Sequence, residues 1–218
     1  MIFGKIEYLN LLPFHVFMKR FVKMSSAKMS MEYKKNVPSH INRAFHKRHV
    51  DAAFISSISA KKSRHVGLGI VAKKSVKSVL VIPNKKSKND SESASSNALA
   101  KILKQSGEVL IGDKALRYAL KSDAYIDLAA LWNKRYNLPF VFALLCYHKE
   151  RAYYKKIERE FLKRQVKIPR YILEKASKKT AIETQDILEY LTLISYRLDA
   201  KTAQSIKKFY KLSREVSR

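Results

Sequence analysis

Three places along the 218-residue chain put small hydrogen-bonding side chains where a strand-like run gives way to a helix-like one. The first is Asn10, between MIFGKIEYL and a helix with Pro13 in its first turn. The second is the pair Ser56-Ser57, at the end of the apolar run VDAAFI. The third is a cluster of Ser93, Ser95, Ser96 and Asn97 at the head of ALAKIL. In open α/β sheets, ligands collect at the carboxyl ends of strands, beside helix N-termini whose free N–H groups favour anions. Uncharged hydroxyl and amide donors at such places suit a carboxylate or a phosphate. Serine and asparagine are also good helix N-caps, so any one junction taken alone reads as a cap before it reads as a site.

The remaining reactive side chains exclude several chemistries. His46 and His49 would bind a metal only with ligands from elsewhere, and their charged surroundings read as a solvated helix end. No GxSxG, GxGxxG, Walker loop, HExxH or CxxC motif occurs. Asp51, Asp113 and Asp127 stand singly beside strand-like runs, the last as a helix cap. Trp132 and the aromatics of PFVF read as core. Cys146 is the one cysteine; in FVFALLCY it is expected to be a small buried residue, and a lone thiol fits a reducing compartment. No run approaches the ~18 apolar residues of a membrane span, and MIFGKIEYLN lacks the pattern of a secretion signal. The expectation is a cytoplasmic protein with no membrane partner.

The formal charge of +27 demands a separate reading. Residues 1–148 carry 26 basic and 9 acidic side chains, and residues 149–218 carry 19 and 9, so the surplus is spread along the chain. Paired lysines such as Lys61-Lys62 and Lys207-Lys208 fall at element ends, with no recognition helix, zinc finger or RNP-type aromatic motif beside them. No nucleic-acid partner is expected. A diffuse positive field would instead help gather an anionic substrate.

The elements that must position the three junctions follow from periodicity. Strand-like runs at 1–9, 30–34, 50–55, GLGIVA and 78–83 alternate with helices to about Lys23 and from Ser39 as N-cap to His46. This rhythm predicts an open, largely parallel sheet. A polar, serine-rich stretch (84–97) leads into a helix starting near Ser95 or Ser96. It is followed by a strand at 108–113, helices from Lys114 and Asp127, and the apolar strand 138–147. From Glu150 the chain reads as helical throughout: Pro169 opens one helix, Thr180-x-x-Glu183 has capping-box spacing, and Ile187, Leu191 and Ile194 form an apolar stripe. Asp199 caps the last helix, with Ala203, Ile206 and Tyr210 facing inward. The expected fold is α/β with two lobes: residues 1–83 and 145–218 in the first, including C-terminal helices packed back on it, and 84–144 in the second. Two crossing strands join them, as in a hinge protein that closes on a ligand. Composition and spacing stop there, with binding protein and enzyme both open.

Six segments go further. GKIEYLNLLPF (4–14), VPSHINRAF with VDAAFISSISA (37–60), VKSVLVIP (76–83), SESASSNAL (91–99), LIGDKAL (110–116) and YIDLAALWNKRYNLPFVFALL (125–145) resemble, in order, the chorismate dehydratase family (MqnA) of the futalosine menaquinone pathway. The resemblance covers most of residues 1–145. It implies a periplasmic-binding-protein-like type II fold and a lyase that takes water from chorismate, giving 3-[(1-carboxyvinyl)oxy]benzoate with no metal and no redox cofactor. It further implies that Asn10 and Ser78 contact substrate near the reacting centre and that the Ser93–Ser96 cluster holds a carboxylate. Ser56, Ser57, Asn97 and Asp113 complete the expected substrate contacts. The sister dihydroxynaphthoate synthase of that pathway normally has a polar Ser-Pro-Asn-type turn after its first strand, which YLNLLPF does not resemble. A receptor that binds a small acid and leaves it unchanged would share the fold.

Overall fold

The computed structural model describes residues 1–24, 32–83, 85–163 and 165–216. The chain opens as β1 (Ile2–Lys5), turns through a 3-10 segment (Leu9–Leu11) and enters α1 (Leu12–Met24). Pro13 sits in that helix's first turn, where its missing N–H leaves no bond unmade. Next come β2 (Glu32–Lys35), α2 (Pro38–His46), β3 (Ala52–Ser56) and β4 (His65–Ala72). Residues 30 and 31 of the expected second strand lie outside the described residues. Pro38 again starts a helix, so α2 is capped at Val37 and Ser39 falls inside its first turn, not at its cap.

A second set of elements follows: β5 (Val79–Ile82), α3 (Ala94–Ile102), β6 (Glu108–Ile111), α4 (Gly112–Ala119), β7 (Ile126–Asp127) and α5 (Leu128–Tyr136). The chain then returns in β8 (Phe140–Tyr147) and finishes with α6 (Arg151–Leu162), α7 (Arg170–Thr180), α8 (Thr184–Thr192), β9 (Ile194–Arg197) and α9 (Ala200–Glu215).

Two sheets result, one of six strands in the order β2-β1-β3-β8-β4-β9 and one of three in the order β6-β5-β7. The expectation of a largely parallel sheet fails. Only β1 with β2 and β1 with β3 are parallel; β3–β8, β4–β8 and β4–β9 are antiparallel, as are both pairings of the small sheet. The reason is connectivity: β4 leads away to the small sheet and β8 comes back beside it, and a returning strand pairs antiparallel. The strands also divide elsewhere than at 83–84 and 144–145. Val79–Ile82 pairs with β6 and β7, while all of Phe140–Tyr147 lies between β3 and β4. The crossings are therefore the segments 73–78 and 137–139.

The tail differs from its helical reading in three ways. Ile194–Arg197 is an edge strand on β4, because the residues after Leu193 find a sheet edge and leave the helix. Thr180 ends α7, its hydroxyl donating to the Ala176 carbonyl, so it cannot cap α8; Glu183 is the N-cap, without a side-chain bond. Of the expected inward residues of α9, Ile206 and Tyr210 pack partly buried against the core, but Ala203 is exposed, and the most buried positions are Thr202, Ser205, Phe209 and Ser213. Asp199 caps α9 in a reciprocal box with Thr202, as its position predicts. This helix does not pack on the large sheet alone. Phe209 stands edge-on to Phe140 of β8 at 5.0 Å, and Ser205 accepts the Trp132 indole N–H of α5 at 3.1 Å, so α9 bridges both sheets. Trp132 and Cys146 are fully buried, as expected.

Candidate functional site

The segment 73–78 is shaped by one carboxylate. Asp127 Oδ1 caps α5 by accepting from the Ala129 and Ala130 N–H groups at 2.9 and 3.0 Å. Its Oδ2 accepts from Val76 and Lys77 at 2.8 and 2.7 Å. Lys77 takes a left-handed φ of 55° there, which turns the chain into β5 with Ser78 at its head. The Ser78 hydroxyl is buried 2.9 Å from the Tyr190 hydroxyl of α8. Burial pushes the Tyr190 phenol well above its ordinary pKa, while hydrogen bonds from Ser78 and from the Asn10 side chain pull the other way. Asn10 and Ser78, 68 positions apart in sequence, thus meet on one tyrosine.

The turn bearing Asn10 is held on several sides. The Tyr196 hydroxyl of β9 donates to the Asn10 carbonyl at 2.6 Å, and the Leu9 N–H donates to Asp113 Oδ1 at 3.1 Å. Burial holds the Asp113 carboxyl above the usual carboxylate range, opposed by that N–H. Tyr8 donates to the Glu92 carboxylate, and its ring covers Gly112. A Cβ at Gly112 would lie 2.9 Å from the Tyr8 ring, and the φ of +63° there also favours glycine. His15 pins the same turn from α1, its Nε2 2.8 Å from the Ile6 carbonyl.

The serines sort into two groups. Ser95 of α3 reaches out of its helix: its Oγ accepts from the Ile58 N–H at 3.0 Å and lies 3.1 Å from Ser57 Oγ. The Tyr210 hydroxyl of α9 donates to the Ser57 carbonyl at 2.8 Å, fixing that junction from the tail. Ser56, Ser93, Ser96 and Asn97 bond within their own neighbourhoods. Ser56 is locked to Asn42 by two bonds, 2.7 and 3.2 Å. Ser93, not Ser95 or Ser96, is the N-cap of α3, accepting from the Ser96 N–H and lying 2.8 Å from the Ser96 hydroxyl. Asn97 clamps the backbone of Asp90 in both directions, and Asp90 in turn pairs with Lys114 at 2.6 Å.

Sequence reasoning missed the tyrosines of the tail. Tyr190 follows Ile187 by three positions on the apolar face of α8, and a buried tyrosine hydroxyl needs a partner; that signal was available. Nothing comparable marked Tyr196, and Tyr210 was expected on the inward face of the last helix without its partner; both bond to backbone carbonyls. A groove of about 1140 Å³ lined by Phe161, Leu173, Leu191, Ile194, Lys73 and Arg197 contains none of the expected site residues. Among the described residues no group of three or more His, Cys, Asp or Glu side chains is arranged to hold a metal, and no helix is long and apolar enough to cross a membrane. Burial pushes the Cys146 thiol up to about 12, which leaves it unreactive at neutral pH.

With this geometry in place, comparison with known proteins identifies relatives. A family described as menaquinone biosynthesis matches residues 1–107 and 97–215. A chorismate dehydratase of Campylobacter jejuni is 45% identical over 221 residues, covering 100% of this chain and 99% of that protein. Among solved structures, a protein of Archaeoglobus fulgidus superposes with a TM-score of 0.68 at 11% identity, covering 99% of this chain and 97% of its own. The periplasmic aliphatic sulphonate binding protein of Escherichia coli superposes at 0.58 with 14% identity, covering 99% and 86%. The fold is periplasmic-binding-protein-like.

Proposed function

The chain belongs to the menaquinone biosynthesis family, and from that premise we propose that it is a chorismate dehydratase, a hydro-lyase converting chorismate to 3-[(1-carboxyvinyl)oxy]benzoate and water. The observation that carries this reading beyond kinship is the buried contact of Ser78 with Tyr190, whose phenol the Asn10 side chain also reaches, together with a second pair of hydroxyls, Ser57 and Ser95, drawn from two elements.

The reaction breaks the C3–H and C4–O bonds of the ring. The C3 proton passes to the substrate's own side-chain carboxylate, the C3–H electron pair completes the aromatic ring as the C4–O bond breaks, and the departing hydroxide takes up that proton, so that one water is released. Negative charge grows on the departing oxygen, and the Asn10 amide and Ser78 hydroxyl are the donors we assign to it. One such donor contributes about 2.7–4 kcal/mol to a transition state in a dry site. We assign a ring carboxylate to Ser57 and Ser95, whose neutral contact it would replace with charge-assisted bonds. Asp113 holds the Leu9 N–H and through it the wall that carries Asn10. The excess of positive charge gathers a dianion. One buried thiol supports placing the reaction in the reducing cytoplasm.

Incubation with chorismate tests the reading: the diene absorbance should disappear and an aromatic product lighter by one water should accumulate. Chorismate that is bound but recovered unchanged would make the protein a receptor.

A further inference from the structure

Tyr190 has one proton to give and lone pairs to receive, and two candidate catalytic side chains converge on it. We propose that Tyr190 is a positioning residue that sets the direction of the hydrogen bonds at the reacting centre. The Tyr190 O–H donates to Ser78 Oγ, and the Ser78 proton is left pointing at the substrate oxygen. This inference rests on the dehydratase reading above.

The polarity follows from what each group can do. A buried phenol needs an acceptor for its proton, and the Ser78 oxygen lies within hydrogen-bond distance of it. Buried at 3% exposure, with the carboxylates of Asp113 and Asp127 repelling a phenolate, Tyr190 keeps its proton across the working pH range. That proton goes to the hydroxyl 2.9 Å away. A serine oxygen that accepts here keeps its own O–H for another acceptor, and a departing hydroxyl is the acceptor the reaction provides. The arrangement is independent of the main chain on both sides. Asn10's carbonyl is held by Tyr196 at 2.6 Å, and the Ser78 carbonyl accepts from the Gly112 N–H at 2.8 Å. Removing the Tyr190 hydroxyl therefore frees the Ser78 side chain and leaves its backbone in place.

The test is Tyr190→Phe, which keeps the ring. On chorismate, kcat should fall roughly 10- to 100-fold, the range for one oriented donor, while KM changes less than about threefold and thermal unfolding stays near that of the parent. The double variant with Ser78→Ala should be no more than about threefold slower than Ser78→Ala alone, because the tyrosine acts through the serine. Wild-type kcat in Tyr190→Phe, or a double variant whose loss is the product of the single losses, would overturn the role. An active parent with an unaffected Tyr190→Phe removes this inference alone; a parent that leaves chorismate unchanged removes the dehydratase reading and this role with it.

Discussion

At the head of α3, Ser93, Ser96 and Asn97 direct their hydrogen bonds to one another and to Asp90, and only Ser95 reaches across to the junction after β3. At the Asn10 turn the sequence shows few polar residues, yet side chains numbered 10, 78 and 190 meet there, Asp113 and Tyr196 hold the turn from other elements, and Tyr8 of the turn itself reaches out to Glu92. The first region is dense in sequence and mostly local in structure; the second is sparse in sequence and assembled from the whole chain. A run of serines makes a helix start. Convergence from distant elements makes a place where a small molecule can be oriented.

That contrast predicts unequal consequences. The largest belongs to Asn10→Asp, which keeps the shape but sets a negative charge beside a dianion and replaces donors with acceptors. Turnover of chorismate should drop by roughly 100-fold or more with thermal unfolding little changed. Were Asn10 only a structural residue of the 3-10 turn Leu9–Leu11, turnover would persist in this variant.

Acid should affect the Asn10 side of the comparison through His15. Burial pushes its pKa down to about 4 while its Nε2–H is donated to Ile6. The unfolded chain takes up the proton first, near 6.5, so stability is full above that pH and is lost as pH falls towards about 4, by up to about 3 kcal/mol. His15→Gln should flatten this part of the pH–stability curve, measured by denaturant unfolding.

Ser95→Ala should weaken chorismate binding by roughly 1–3 kcal/mol, the range for losing a hydrogen bond to a charged group, read by calorimetric titration. The smallest effect on function belongs to the local serines. Ser93→Ala removes a cap worth about 1 kcal/mol of stability and should leave affinity close to the parent's. Equal losses of affinity in Ser93→Ala and Ser95→Ala would erase the distinction drawn between the two regions.

Much of this was legible in the residues, and the failures have physical causes. The alternation of strands and helices over 1–60 and the role of Asp127 as a cap follow from local rules, and the structure agrees. Strand direction does not follow from local rules. Whether 138–147 runs with or against its neighbours depends on where the chain re-enters the sheet, which periodicity does not record. The strand Ile194–Arg197 was hidden because ISYR continues an apolar helical stripe until a free sheet edge claims it. At the candidate site, Asn10 and Ser78 could be named only through resemblance, whereas Tyr190 lay in plain view as a phenol on an apolar face. What the sequence did not contain was that Asn10 and Ser78 would both reach that phenol.

The most direct test of the account is a structure of the protein with 3-[(1-carboxyvinyl)oxy]benzoate bound. The ring carbon that lost its hydroxyl should face the Asn10 amide and the Ser78 hydroxyl, with a carboxylate within hydrogen-bond distance of Ser57 and Ser95. Product seated instead in the groove between Phe161 and Ile194, with Asn10 and Ser78 untouched, would contradict it.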